Sequence, residues 1–259
     1  MPNIIFEDNH IIVVVKPQNM PSQGDISGDT DLLSEIKQYL KQKYNKPGNV
    51  FLGLVHRLDR PTGGVMVFAK TSKAAGRLSE QLKSGEFEKT YYAVLSGVLK
   101  NKFERLSNFL KKDEKENIVH LAPSLEQGSR LAELDYTVVA VKEILNKQTL
   151  TLVKVNLLTG RSHQIRVQFA AAGASVYGDT KYANSAEELS FNTEINREIR
   201  QGIKSSINKK TVPATTHLAL WAYNLKFNHP VTKERLSFVC LPPMNEVPWN
   251  NFDESMFTF

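Results

Sequence analysis

The stretch Leu54-Val55-His56-Arg57-Leu58-Asp59-Arg60-Pro61-Thr62-Gly63-Gly64-Val65-Met66-Val67-Phe68-Ala69-Lys70-Thr71 runs from a strand-like entry, through a polar knot, into a fully apolar strand. Asp59 therefore belongs to a loop held by rigid elements on both sides, a usual placement for a reactive side chain. Gly63-Gly64 at the loop's exit lets a second backbone or a ligand come close, because neither residue carries a Cβ. His56, Arg57 and Arg60 crowd this single carboxylate. That favours its ionised form and leaves positive charge over for phosphates. A loop ion pair that merely orders the turn is the competing reading of the same residues.

Toward the N-terminus, the apolar runs Ile4 to Phe6 and Ile11 to Val15 flank the turn-forming Glu7-Asp8-Asn9-His10 and predict a strand pair, ended by Lys16-Pro17. Leu32, Leu33, Ile36, Tyr39, Leu40 and Tyr44 recur at helical spacing, with Thr30 or Asp31 as cap and Pro47-Gly48 beyond the end. A second capped helix is expected from Ser72 to about Lys83, then a strand through Tyr91 to Leu95. Leu131 to Val141 and Thr149 to Leu157 read as an antiparallel strand pair. A helix from Arg161 to Ala172, stopped by Gly173, and strands near Leu218 to Phe227 and Leu236 to Leu241 complete the pattern. Residues 183–215 are polar and basic, and read as a surface insertion on one domain spanning 1–259.

The 259 residues carry 33 Lys and Arg against 27 Asp and Glu, a net charge of +6 that favours polyanionic partners. One cysteine, Cys240, excludes an intramolecular disulfide and a Cys-rich zinc site, and points to a reducing cytoplasmic setting. The first residues are acidic where a secretion signal needs a basic start, and no run approaches the roughly eighteen apolar residues of a membrane span. A membrane location is therefore not expected.

A second cluster lies at Leu158-Thr159-Gly160-Arg161-Ser162-His163-Gln164-Ile165-Arg166-Val167-Gln168-Phe169. On a helix, His163 and Arg166 share one face, and Ile165 and Phe169 share another, which separates basic groups from a core anchor. A helix starting just after Thr159-Gly160 would offer free N–H groups beside Arg161, a plausible anion site. An ordinary helix with a locally bonded His163 is the plainer reading.

His56-Arg57-Leu58-Asp59 followed by Thr62-Gly63-Gly64, Lys89-Thr90-Tyr91, and then Thr159 through Arg166 together resemble the RluA-type family of RNA pseudouridine synthases. The resemblance takes in Ile4 to Pro17, Gly178-Asp179 to Tyr182, and Phe227-Asn228-His229-Pro230, so it covers the chain apart from the basic insertion. It implies an α+β fold, a mostly antiparallel mixed sheet with flanking helices and a basic central cleft.

Carried over by position, Asp59 becomes the catalytic aspartate, Tyr91 the aromatic that stacks on the target base, and Arg166 the cation paired with Asp59. Arg57 matches the residue that fills the gap left by an extruded base, and Leu158 the apolar pocket wall. Arg60, Arg161, His56 and His163 join them as RNA-binding candidates. Three positions depart from the family pattern: Gly63 stands where Ser is common, Trp221 where a late His is common, and Gln18-Asn19-Met20 where a small glycine turn is common.

The resemblance implies isomerisation of a flipped-out uridine in ribosomal or transfer RNA, with no metal or organic cofactor and with the protein acting as a monomer. No clustered His and carboxylate ligand set stands against that. Two other readings compete. One is a catalytically silent RNA-binding or ribosome-assembly factor of the same fold. The other is a hydrolase using Asp59 and Asp179, which their spacing does nothing to support.

Overall fold

The computed structural model describes residues 1–144, 148–183 and 217–258. The stretch read as a basic insertion, 183–215, lies outside the described residues apart from Ala183. The elements run β1 (Asn3–Glu7), β2 (Ile11–Lys16), α1 (Leu32–Lys43), β3 (Gly53–Leu54), β4 (Gly63–Ala69), α2 (Ser72–Ser84) and β5 (Glu88–Ser96). They continue with β6 (Phe103–Asp113), β7 (Ile118–Ala122), β8 (Ser129–Ile144), β9 (Gln148–Leu157), α3 (Gln164–Ala171), β10 (Leu220–Asn228) and β11 (Arg235–Val239).

All these strands join one sheet in the order β1-β2-β4-β10-β5-β9-β8-β6-β7, with β3 on β4 and β11 on β10. The pairings are antiparallel except β4 with β10, which run parallel through Gly63–Trp221 and Gly64–Ala222. The α+β class and the mostly antiparallel mixed sheet are therefore as expected.

The sheet's first half is covered on both faces, which is why β2 and β4 are apolar throughout. Period-two alternation sends Ile12, Val14, Met66 and Phe68 to the face under α1, where Leu32, Ile36 and Leu40 are buried. Ile11, Val13, Val65 and Val67 go to the opposite face, under Ala74 and Leu78 of α2. Each such aliphatic side chain contributes about 1.5–3 kcal/mol on full burial. Both helices begin on side-chain caps: Asp31 Oδ1 accepts from Ser34 N, and Thr71 Oγ1 accepts from Ala74 N. Asp31, not Thr30, is the first cap.

Two elements differ from expectation. The helix predicted from Arg161 begins only at Gln164, because His163 takes a left-handed conformation (φ 50°) and Thr159 to Ser162 stay in a loop. It is also buried on all sides, Gln164 through Phe169, so basic and core faces are not separated. The hairpin β6–β7 was not anticipated. Its strands are largely exposed and show little apolar alternation. The signal present was the turn chemistry: Asp113 Oδ1 accepts from Lys115 N and Glu116 N, and Asn117 sits at φ 51°.

Glu7 pins the edge of the sheet to α1 and β4. Its carboxylate accepts from Tyr39 and Tyr44 hydroxyls and from the Lys43 and Lys70 ammoniums. Burial works to raise its pKa, but the bonds from Lys43, Lys70 and Tyr44 prevail and bring it down to about 2. A depressed carboxylate stabilises the fold above its unfolded value and loses that contribution as pH falls through the folded one. Glu7→Gln is thus expected to remove on the order of 3 kcal/mol at pH 7, and to flatten the loss of stability between about pH 4.5 and pH 2. Urea unfolding across that range reads both; an unchanged acid limb would contradict the assignment.

Candidate active site

Asp59 lies at the floor of an open cleft of about 1320 Å³ that also exposes Tyr91, Leu158 and Arg166. Its loop is closed by Thr62 N donating to the Asp59 carbonyl at 2.9 Å. It is also anchored from beneath. The Lys16 ammonium, with no exposed surface, donates to the carbonyls of Pro17 (3.0 Å), Met20 (2.6 Å) and Arg60 (3.0 Å). Ser22 Oγ donates to the Leu58 carbonyl and accepts from the Leu58 amide. Burial pushes the Lys16 pKa down to about 7, while the charge of Asp59 acts to raise it. Three carbonyl acceptors match the three protons of the charged form. Lys16 was read from sequence only as the end of a strand.

The three cations adjacent in sequence do not crowd Asp59 as expected. Arg60 turns away to Asp29 and to Asp25 at 3.6 Å. His56 is neutral: burial first, and the Lys89 charge second, lower its pKa to about 4, and its Nε2 accepts from Val67 N at 3.2 Å. Arg57 is exposed in the cleft and makes no ion pair or side-chain hydrogen bond among the described residues. The loop ion pair is real, but it belongs to Arg60 and the 25–29 turn.

The cation that does face Asp59 is Arg166, with Nη1 at 3.9 Å from Asp59 Oδ2. That is an ion pair beyond hydrogen-bond length. Its closer partner is Asp179, which accepts from Nε and Nη2, each at 2.7 Å, in a bidentate arrangement. Asp179 has no exposed side-chain surface, and Oδ1 also accepts from Lys181 N and Tyr182 N. Asp179 thus caps its own turn as well as holding Arg166, an ion pair that the sequence reading did not foresee. Asp59 and Asp179 thus flank one guanidinium, yet Asp179 is enclosed and fully occupied, so it is not available as the second carboxylate of a hydrolase.

Tyr182 completes the enclosure. Its ring lies 5.0 Å from the Arg166 guanidinium, its hydroxyl accepts from Val119 N at 2.9 Å, and it meets His163 Nδ1 at 2.6 Å. Burial lowers the His163 pKa, against the raising effect of Asp59. His163 therefore orders the site rather than supplying charge to it. Tyr91, 7% exposed, has no hydrogen-bond partner among the described residues, and burial followed by the charge of Asp59 holds its phenol pKa well above the ordinary value. Leu158 is 46% exposed, and Arg161 donates Nε to the Leu131 carbonyl at 2.9 Å. Since α3 starts later than expected, Arg161 stands in a loop and not at a helix N-terminus.

The sequence family described as RNA pseudouridylate synthase matches residues 10–171. The chain belongs to the RNA pseudouridylate synthase family. It is 33% identical over 244 residues to an uncharacterized RNA pseudouridine synthase of Aquifex aeolicus, covering 91% of this chain and 68% of that protein. It is 31% identical over 243 residues to the ribosomal large subunit pseudouridine synthase C of Escherichia coli, covering 94% and 66%. For an uncharacterized RNA pseudouridine synthase of Bacillus subtilis the identity is 32% over 187 residues, covering 72% and 59%. The chain thus spans about three fifths to two thirds of these relatives' lengths. The solved structure of human RNA pseudouridylate synthase domain containing 4 shares the fold, at TM-score 0.68 and 21% identity over 93% of this chain and 88% of that one.

The three departures from the pseudouridine synthase pattern meet at one place behind the Asp59 loop. A Cβ on Gly63 would lie 2.2 Å from Trp221 Cζ3 and 2.9 Å from Gln18 Cγ, so the indole fills the volume that a side chain at 63 would need. Gln18 Nε2 donates to the Pro61 and Leu218 carbonyls, and Trp221 Nε1 to the Cys240 carbonyl. Gly64 (φ 120°) meets the Ala222 backbone at 2.2 Å from its hypothetical Cβ, the close backbone approach that the glycine pair was expected to permit. Glycine at 63 and tryptophan at 221 form one exchange of volume.

Gly63→Ser alone is expected to destabilise the protein by about 1–3 kcal/mol through overpacking, and Trp221→His in the same chain to recover much of that loss. A double-mutant cycle in urea reads the coupling; additive losses would contradict it. Asp179→Asn leaves the enclosed guanidinium without its counter-charge and should cost about 3–5 kcal/mol in the same assay. A loss under about 1 kcal/mol would mean that Arg166 is held by something else.

Proposed function

We propose that the protein is an RNA pseudouridine synthase: it takes a flipped-out uridine into the cleft and isomerises it, with Asp59 as the essential carboxylate. The observation that supports this most directly is the meeting of Asp59, Tyr91 and Arg166 in one cleft rich in basic side chains. The single sheet supports reading the chain as one catalytic domain. The names of the ribosomal large subunit relatives make large-subunit ribosomal RNA the first substrate to test, ahead of transfer RNA.

The reaction breaks the bond from ribose C1′ to uracil N1, rotates the ring, and joins C1′ to C5. The proton on C5 leaves, N1 gains one, and nothing is oxidised or reduced. Extruding the base costs a few kcal/mol. Stacking on Tyr91 offsets it by about 1–3 kcal/mol, and its hydroxyl, held protonated, adds no second negative charge beside Asp59. Asp59 either attacks C1′, attacks the uracil ring, or removes a sugar proton. In each route it must be a carboxylate with free lone pairs. The 3.9 Å gap to Arg166 supports that requirement, because the guanidinium supplies field without occupying the oxygens in a hydrogen bond. Arg57, exposed within the cleft, takes the space that the extruded base leaves in the RNA, and Leu158 forms part of the apolar wall of the pocket that receives the base.

Asp59→Asn is expected to lower turnover at least about a thousandfold, while RNA affinity and melting temperature stay near those of the unmodified protein. Tritium release from transcribed large-subunit ribosomal RNA labelled at uracil C5 measures it, since product formation expels that hydrogen. Equal release by the variant would refute the role of Asp59. Tight RNA binding without release by the unmodified protein would instead favour the silent binding factor.

A further inference from the structure

Cations with and without counter-charges divide sharply in this cleft. Arg60 and Arg166 are paired with aspartates. Lys89, on β5 two residues from Tyr91, is half-buried yet makes no hydrogen bond or ion pair among the described residues. Its Nζ lies over the Gly160 backbone, 3.5 Å from where a Cβ on that glycine would sit, in the loop that carries Arg161. Arg161 uses Nε on the Leu131 carbonyl and has no carboxylate partner among the described residues. Burial, then the neighbouring Arg161 charge, pulls the Lys89 pKa down. The half-buried Lys89 and the exposed Arg161 are like charges lining one wall of the cleft, and an anion bound between them would offset their repulsion.

We propose that Lys89, seated over Gly160, and Arg161, the next residue of that loop, form a phosphate subsite in the wall of the cleft that grips an RNA backbone phosphodiester next to the flipped uridine. A Cβ at Gly160 would stand in ordinary contact with the Lys89 ammonium, which shows how closely that charge lies on the loop carrying Arg161. The neighbouring His56 is held neutral, so the Lys89 and Arg161 cations dominate this part of the wall. The contact is to backbone and not to a base edge, so it positions the strand without reading its sequence. Position along β5 links it to chemistry, because the strand that presents Lys89 also presents Tyr91, on which the base stacks. Gripping the phosphate and stacking the base then hold one nucleotide at two points.

This inference rests on the RNA reading above, and the test separates the two. Lys89→Gln, Lys89→Arg and Arg161→Gln are compared with the unmodified protein and with Asp59→Asn, using a fluorescein-labelled transcript of large-subunit ribosomal RNA. For Lys89→Gln and Arg161→Gln, affinity should fall about three- to tenfold at moderate salt, and the slope of log K against log salt should lose about one unit. KM should rise with kcat nearly unchanged. Lys89→Arg should restore both slope and KM, which a purely structural lysine would not require. If Lys89→Gln does not fold, Arg161→Gln carries the same measurement. Unchanged slopes in glutamine variants of a protein that binds and isomerises the transcript would overturn the subsite alone. Failure of the unmodified protein to bind the transcript or release tritium would take down both readings.

Discussion

A guanidinium shut inside the protein sets the constraint on which the site depends. Arg166 exposes only 7% of its side chain, and a cation so placed is tolerable only with a counter-charge of matching geometry. Asp179 supplies it through two 2.7 Å bonds and is enclosed in its turn. Once that pair exists, much else follows. The turn after Gly178 must present its carboxylate inward, which it does by bonding Lys181 N and Tyr182 N. Tyr182 then lies over the guanidinium and fastens both His163 and β7. The left-over edge of Arg166 points at Asp59, too far for a hydrogen bond and near enough to set its field.

That arrangement separates structural charge from reactive charge. A carboxylate that accepted two guanidinium bonds would be held still and poorly available, which is the condition of Asp179. Asp59 receives attraction without capture, and its loop is kept in place through main-chain carbonyls by Lys16, from the side away from the cleft. Rigidity comes from groups that do not touch the reacting oxygens. The same division explains why Ser22 and Thr62 bond to the loop's backbone and leave the Asp59 side chain alone.

Period and caps made most of the fold readable. β2 before Lys16 and β4 are continuous apolar runs because both faces of the sheet there are covered, and α1 and α2 carry Asp31 and Thr71 at their starts. The β6–β7 hairpin escaped because its strands largely face solvent and because β6 is held to the sheet by β8, a partner distant in sequence. The start of α3 was misplaced because His163 adopts a left-handed backbone that its residue type does not announce. Within the site, motifs placed Asp59, Tyr91 and Arg166 together, while adjacency along the chain misled about Arg60 and His56. In a tight loop, successive side chains leave in different directions: one toward the 25–29 turn, one toward Val67, one toward the cleft. Asp179 and Tyr182 were out of reach for another reason. Their importance arises from a guanidinium sixteen or fewer residues away in sequence, whose burial only the assembled sheet determines.

The exchange at Gly63 and Trp221 shows how such a site tolerates change. A loop that holds a carboxylate 3.9 Å from a buried guanidinium cannot shift by much without changing the field between them. Behind it, however, volume can move between strands if the sum is kept, and here the parallel register of β4 on β10 puts residues 63 and 221 directly opposite each other. The indole occupies the space left open on β4, and Gln18 closes the remaining side with bonds to Pro61 and Leu218. Departures that look independent along the chain are therefore one adjustment in space. It alters the support of the Asp59 loop while leaving the cleft-facing residues untouched, which is why a changed backing is compatible with an intact constellation of Asp59, Tyr91 and Arg166.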